Sequence, residues 1–99
     1  MSKQVKLKAY DFKIIINIGE PQTEFRVFAT SKTEAISLMI DISIAYNYLA
    51  YEFNKVNNSL KAKEQCYRYV EQYGSPEAVV IKEKEMIQLK LDMENKHVH

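Results

Sequence analysis

Residues 10–18 read YDFKIIINI, and their alternation constrains the fold more than any other stretch. Tyr10, Phe12, Ile14, Ile16 and Ile18 share one parity, while Asp11, Lys13 and Asn17 take the other. Successive side chains of a strand point to opposite faces, so the pattern predicts a strand with one apolar face. Upstream, Val5, Leu7 and Ala9 carry the opposite parity. That flip predicts either a bulge near Ala9–Tyr10 or a separate short strand. Residues 19–22, GEPQ, bring Gly19 and Pro21 together as turn chemistry. Alternation then resumes, with Phe25, Val27 and Ala29 set against Glu24, Arg26, Phe28 and Thr30. Two alternating runs joined by a short turn predict a β-hairpin.

Helical signals follow. Ser31 and Glu34 form a capping-box pattern, in which each side chain satisfies a backbone N–H at the other's position. A helix is therefore expected from Lys32. It is expected to run to about Lys55, where VNNS supplies poor helix formers and Ser59 offers a new N-cap. The second helix, LKAKEQCYRYVEQY, should stop at Gly74. Its Ala62, Cys66, Tyr69, Val70 and Tyr73 line one face, opposite Lys61, Glu64, Gln65, Arg68, Glu71 and Gln72.

The last segment sends two signals. Ser75 and Pro76 look like a helix start. Yet Ile87, Leu89, Leu91 and Met93 alternate with Gln88, Lys90 and Asp92, which predicts a strand from roughly Ala78 to Leu91. The fold expected is α+β, with an antiparallel sheet, an N-terminal β-hairpin, two helices on one face and a C-terminal strand. The element order is then ββααβ. A third helix in the last position, ββααα, is the alternative.

The 99 residues are expected to form a single domain, with 1–4 and 94–99 frayed. At 46% hydrophobic the chain can bury a core without disulfide or metal staples. A formal net charge of +1 argues against bulk DNA or an anionic membrane as the main partner. Cys66 is the single cysteine, which excludes an internal disulfide and suits a reducing compartment. The N-terminus carries no apolar signal core, and residues 35–51 are interrupted by Asp41 and several Ser and Asn. The expectation is a soluble, cytoplasmic protein that does not enter a membrane.

Residues 44–53, IAYNYLAYEF, hold Tyr46, Tyr48, Tyr51 and Phe53. On a helix reaching Lys55, the residues Leu38, Ile42, Ala45, Tyr46, Leu49, Phe53 and Val56 form one broad stripe. Ile40, Ile44, Tyr48 and Tyr51 form a second, on the side that also carries Ser37, Asp41, Asn47 and Lys55. A second apolar stripe calls for a second cover. Either the second helix folds back over it through Cys66 and Tyr69, or another chain does, in an isologous dimer or partner interface anchored by Tyr48 and Tyr51.

Other candidates weigh less. His97 and His99 supply two imidazoles where a structural zinc site takes four ligands, so neither metal nor cofactor is expected. Cys66 sits on an apolar helical face with no activating histidine in an ordered region, as a core residue does. Asp11, Glu20, Glu24 and Asp41 show no spacing that pairs two of them for acid–base work, so no catalytic residue is assigned. Lys61, Lys63, Tyr67 and Arg68 interleave cations with a ring, as nucleic-acid stacking surfaces do, and Lys3, Lys6, Lys8 and Lys13 form a second basic group. The alternative for that second group is a Lys-rich strand edge. KEKE, residues 82–85, reads as a solvated run.

The hairpin followed by ATSKTEAI, residues 29–36, resembles a hairpin-to-helix junction common in small phage and plasmid proteins. That resemblance implies a mobile-element protein of the kind that inhibits host defence, anti-CRISPR proteins among them, by stoichiometric occlusion of a host complex. The function expected is a small non-enzymatic protein-binding module that self-associates. The alternative is a nucleic-acid-binding accessory factor.

Overall fold

The computed structural model describes the backbone of residues 6–97 and the side chains of residues 6–93. Lys8–Ile15 forms the first strand, β1. It pairs antiparallel with Thr23–Ala29, β2, and with Ala50–Asn57, β3, in the sheet order β2-β1-β3. The helices are α1, Lys32–Tyr46; α2, Leu60–Tyr73; and α3, Pro76–His97. The fold is α+β, with three antiparallel strands and three helices among the described residues, in the order ββαβαα.

The hairpin forms as its alternation predicts, though β1 ends at Ile15, earlier than expected. Ile18, expected on the apolar face, lies in the turn and is 90% exposed. Gly19 takes φ 85°, and Glu20 N–H reaches Asn17 C=O to close that turn. The β1–β2 register runs unbroken from Lys8 to Ile14, so the parity flip near Ala9 is neither a bulge nor a separate strand. Its cause is burial on both faces. Ala9, Tyr10, Asp11 and Phe12 are all buried. Tyr10, Phe12 and Ile14 share a face with Phe25 and Val27 of β2 and with Tyr51, Phe53 and Val56 of β3. Asp11 shares the other with Arg26 and Lys55.

The helices divide between those faces, where both had been expected on one. Lys32 of α1 lies over the Phe53 ring, 4.3 Å from its centroid, which puts α1 on the Phe12 face. Arg26 donates to Gln65 of α2, and Phe28 packs against Tyr69, which puts α2 on the Asp11 face. α3 touches α1, α2 and β2. Ala35, Leu38, Met39 and Ile42 of α1, Ala62 and Cys66 of α2, and Val79, Val80 and Ile87 of α3 complete the core.

Capping follows the local chemistry. Ser31 accepts from Glu34 N–H, but the Glu34 carboxylate turns to the Thr30 hydroxyl instead of completing the reciprocal box. Ser59 caps α2 and Gly74, at φ 96°, ends it, both as expected.

Two further expectations fail. The helix from Lys32 does not reach Lys55: Asn47 adopts the left-handed conformation, φ 56°, and closes α1 after Tyr46. Residues 50–57 then form β3. The segment expected as a strand over Ala78–Leu91 is α3, started by Ser75, whose hydroxyl accepts from Ala78 N–H. Val79, Glu83, Ile87 and Leu91 recur every fourth residue and are all buried or half-buried. α3 also carries helical backbone through residues 94–97, which had been expected to fray, while residues 1–4 and 98–99 lie outside the described residues.

Candidate protein-contact surface

β3 pairs with β1 alone among the described residues, so its far side is an edge of the sheet. The β1–β3 register is broken between Asp11 and Phe12. Asp11 pairs with Lys55 and Phe12 with Phe53, which leaves Asn54 as one extra residue on β3. The bulge resets the alternation. Tyr51, Phe53 and Val56 face α1, while Glu52, Lys55 and Asn57 face the α2 side.

Beside this edge runs one flank of α1. Lys32 stands over Phe53, and Ile36 and Ile40 follow at spacings of four, each turned ~40° further toward the outer side of the helix. Ile36 is half-buried, and Ile40 is 42% exposed. Ile44, one turn on, is 60% exposed. Tyr51, at 37% exposed, meets the Phe12 ring edge-on at 6.2 Å. Three of the four expected contact residues, Ile40, Ile44 and Tyr51, therefore present apolar surface to solvent, but from a helix and a strand rather than from one helical stripe. The fourth, Tyr48, lies in the α1–β3 connection, packs edge-on to Phe25 at 6.5 Å and stacks on Tyr46. Burial raises its hydroxyl pKa. α2 does not fold back over α1; it covers the other face of the sheet.

On that other face a polar chain links strands to helix. Arg26 Nε donates to Asp11 Oδ1 at 2.8 Å, Asn57 Nδ2 donates to Asp11 Oδ2 at 2.7 Å, and Arg26 Nη1 donates to Gln65 Oε1 at 2.5 Å. Asn57 Oδ1 accepts from Ser59 N–H, the cap of α2. Asp11 is 5% exposed. Burial alone pushes its carboxyl up, but the hydrogen bonds from Arg26 and Asn57 and the charges of Arg26 and Lys55 outweigh burial and hold it below the ordinary carboxylate value. Cys66 is buried beside this network, and burial raises its thiol pKa. The network anchors α2, and sequence reasoning missed it because the partners stand 15, 39 and 46 residues apart.

A cleft of about 200 Å³ opens between β2, α1 and α3, lined by Phe25, Ile42, Tyr46, Tyr69, Glu83 and Lys90 among others. Burial pushes the Glu83 carboxyl up to about 7, partly offset by the backbone N–H of Phe28. Lys90 closes one wall by donating to the Tyr46 hydroxyl and lying over its ring.

The expected nucleic-acid residues are not gathered into one patch. Lys61, Lys63, Tyr67 and Arg68 are all exposed on α2. At ~100° per residue, Lys61 and Arg68 fall on one flank and Lys63 and Tyr67 on the other. Glu64 and Glu71 occupy the ridge between them, so the cations of both flanks face phosphate across carboxylates. Of the other basic group, Lys6, Lys8 and Lys13 stand on or next to β1, the central strand rather than an edge, and Lys3 lies outside the described residues. The side chain of His97, and His99 altogether, lie outside the described residues too. No helix among the described residues is long and apolar enough to cross a membrane. Compared with known protein families, curated proteins and solved structures, the chain matches none.

Proposed function

We propose that this protein is a binding module rather than a catalyst, and that it presents the edge of β3 and the adjoining flank of α1 to a protein partner. One observation carries the reading. A sheet edge unpaired among the described residues carries the exposed Tyr51, and the helix packed on that face of the sheet exposes Ile40 and Ile44 on its outer side. An added strand supplies main-chain hydrogen bonds there, and the flanking apolar groups supply buried area. Such a module acts by stoichiometric occupation of a surface. Occlusion of a host defence complex, the role implied by the hairpin-to-helix junction, needs nothing more.

The test compares three immobilised proteins: wild type, Ile40→Asp with Ile44→Asp, and Tyr67→Ser on the far side of the molecule. Wild type and Tyr67→Ser should retain a bound partner, its own copies included, that the double variant releases. Equal retention by all three, with folding intact, removes the reading.

A further inference from the structure

We propose that the partner at this edge is a second copy of the chain, joined β3 to β3 in antiparallel register about a two-fold axis beside Phe53. The proposal rests on the reading of β3 as the contact edge and goes further by naming its occupant. The edge is self-complementary in charge. With Asn54 bulged out of the ladder, Glu52 stands opposite Lys55 of the second copy, and Lys55 opposite its Glu52. Tyr51 meets Val56 of the second copy, and Phe53 meets its own counterpart. Each pair matches in face, because Tyr51 and Val56 both look toward α1 while Glu52 and Lys55 both look toward the α2 side. Without the extra residue, positions 52 and 55 would fall on opposite faces of the strand, and no such pairing could form.

The charges also reject the alternatives. A symmetric antiparallel pairing needs its axis at one residue of the ladder. Moving the axis by one position centres it on Glu52 or on Lys55, and either choice sets a like charge against itself. The register centred on Phe53 is the one of the three that forms two opposite-charge pairs. A two-fold axis between antiparallel strands runs perpendicular to the sheet, so both α1 helices come to lie on one face. Their Lys32–Ile36 flanks then converge over the seam, and the exposed surface of Tyr51 becomes covered. The product is one six-stranded sheet, β2-β1-β3 continued by β3-β1-β2.

Sedimentation velocity of the purified full chain over a dilution series tests the proposal. Wild type should sediment with twice the mass of one chain. Glu52→Lys and Lys55→Glu should each weaken dimerisation by about tenfold or more, and the Glu52→Lys, Lys55→Glu double exchange should recover most of that loss. Lys13 and Asp11 neighbour these positions across β1, so circular dichroism accompanies each variant. A second measurement leaves the charges alone: nitroxides on Asn54→Cys, in a Cys66→Ala background, should lie within about 25 Å of one another, since paired strands are ~4.8 Å apart. A chain that stays monomeric throughout overturns self-pairing while leaving the edge available to a different protein. A dimer that ignores all three charge variants, or one with distant labels, overturns the β3 seam.

Discussion

Arg26 and Asp11 face each other across the β1–β2 pair, Nε to Oδ1 at 2.8 Å, on the side of the sheet that α2 covers. A buried carboxylate tolerates such a site only while its partners remain. Arg26→Ala should therefore cost about 3 kcal/mol in denaturant unfolding. The Asp11→Ala, Arg26→Ala double variant should cost clearly less than the two singles together, because removal of both leaves no stranded charge. Additive singles would mean that the pair is not coupled.

The same carboxylate and Glu83 act on pH stability in opposite senses. The folded-state value of Asp11 lies below its ordinary value of 3.8, so its contribution is present above that value and lost as pH falls through the lower, folded one. Glu83 moves the other way, from 4.5 to about 7. Its stabilising protonation is fully present below 4.5 and lost as pH rises through about 7. Wild type should lose about 2–3 kcal/mol between about pH 5 and pH 8, and Glu83→Gln should flatten that limb in urea titrations at the two pH values. An unchanged slope in Glu83→Gln assigns the limb to another group.

Asn47 ends α1 in the left-handed conformation, φ 56°. A residue without a Cβ holds that geometry at no steric cost, and a β-branched one resists it. Asn47→Gly should leave the melting temperature unchanged or raised, while Asn47→Val should cost about 1–2 kcal/mol. Equal melting of the two variants would show that the position carries no conformational demand.

Ile87 and Leu89 separate a helical from a strand reading of the last segment. Ile87 is 8% exposed and Leu89 is 61% exposed. A strand would put both on one face; a helix turns them ~200° apart. Ile87→Ala should cost about 2–4 kcal/mol and Leu89→Ala less than about 0.5 kcal/mol in chemical denaturation.

These two places also mark where residue patterns stop short. Alternation carries the hairpin, and cap chemistry carries the starts of all three helices and the end of α2 at Gly74. β3 is concealed twice. Its period is broken at Asn54, and the residue that ends α1 is Asn47, a less common left-handed stop than Gly. α3 is concealed because Ile81, Met86, Leu89 and Met93 expose apolar side chains, so no polar face marks the period. Of the contact surface, Ile40, Ile44 and Tyr51 could be picked out as excess apolar residues. Their arrangement could not, because it depends on β3 joining β1 from 35 to 48 residues away in the chain.

α3 packs against β2, with the Glu83 carboxyl at the Phe28 backbone N–H, and so part of that margin of the sheet is covered. Among the described residues the β3 margin is the more open of the two. Chains with two bare margins can stack without end into ribbons and fibres. In the proposed β3–β3 dimer both outer margins are β2 strands contacted by α3, which opposes further strand addition there.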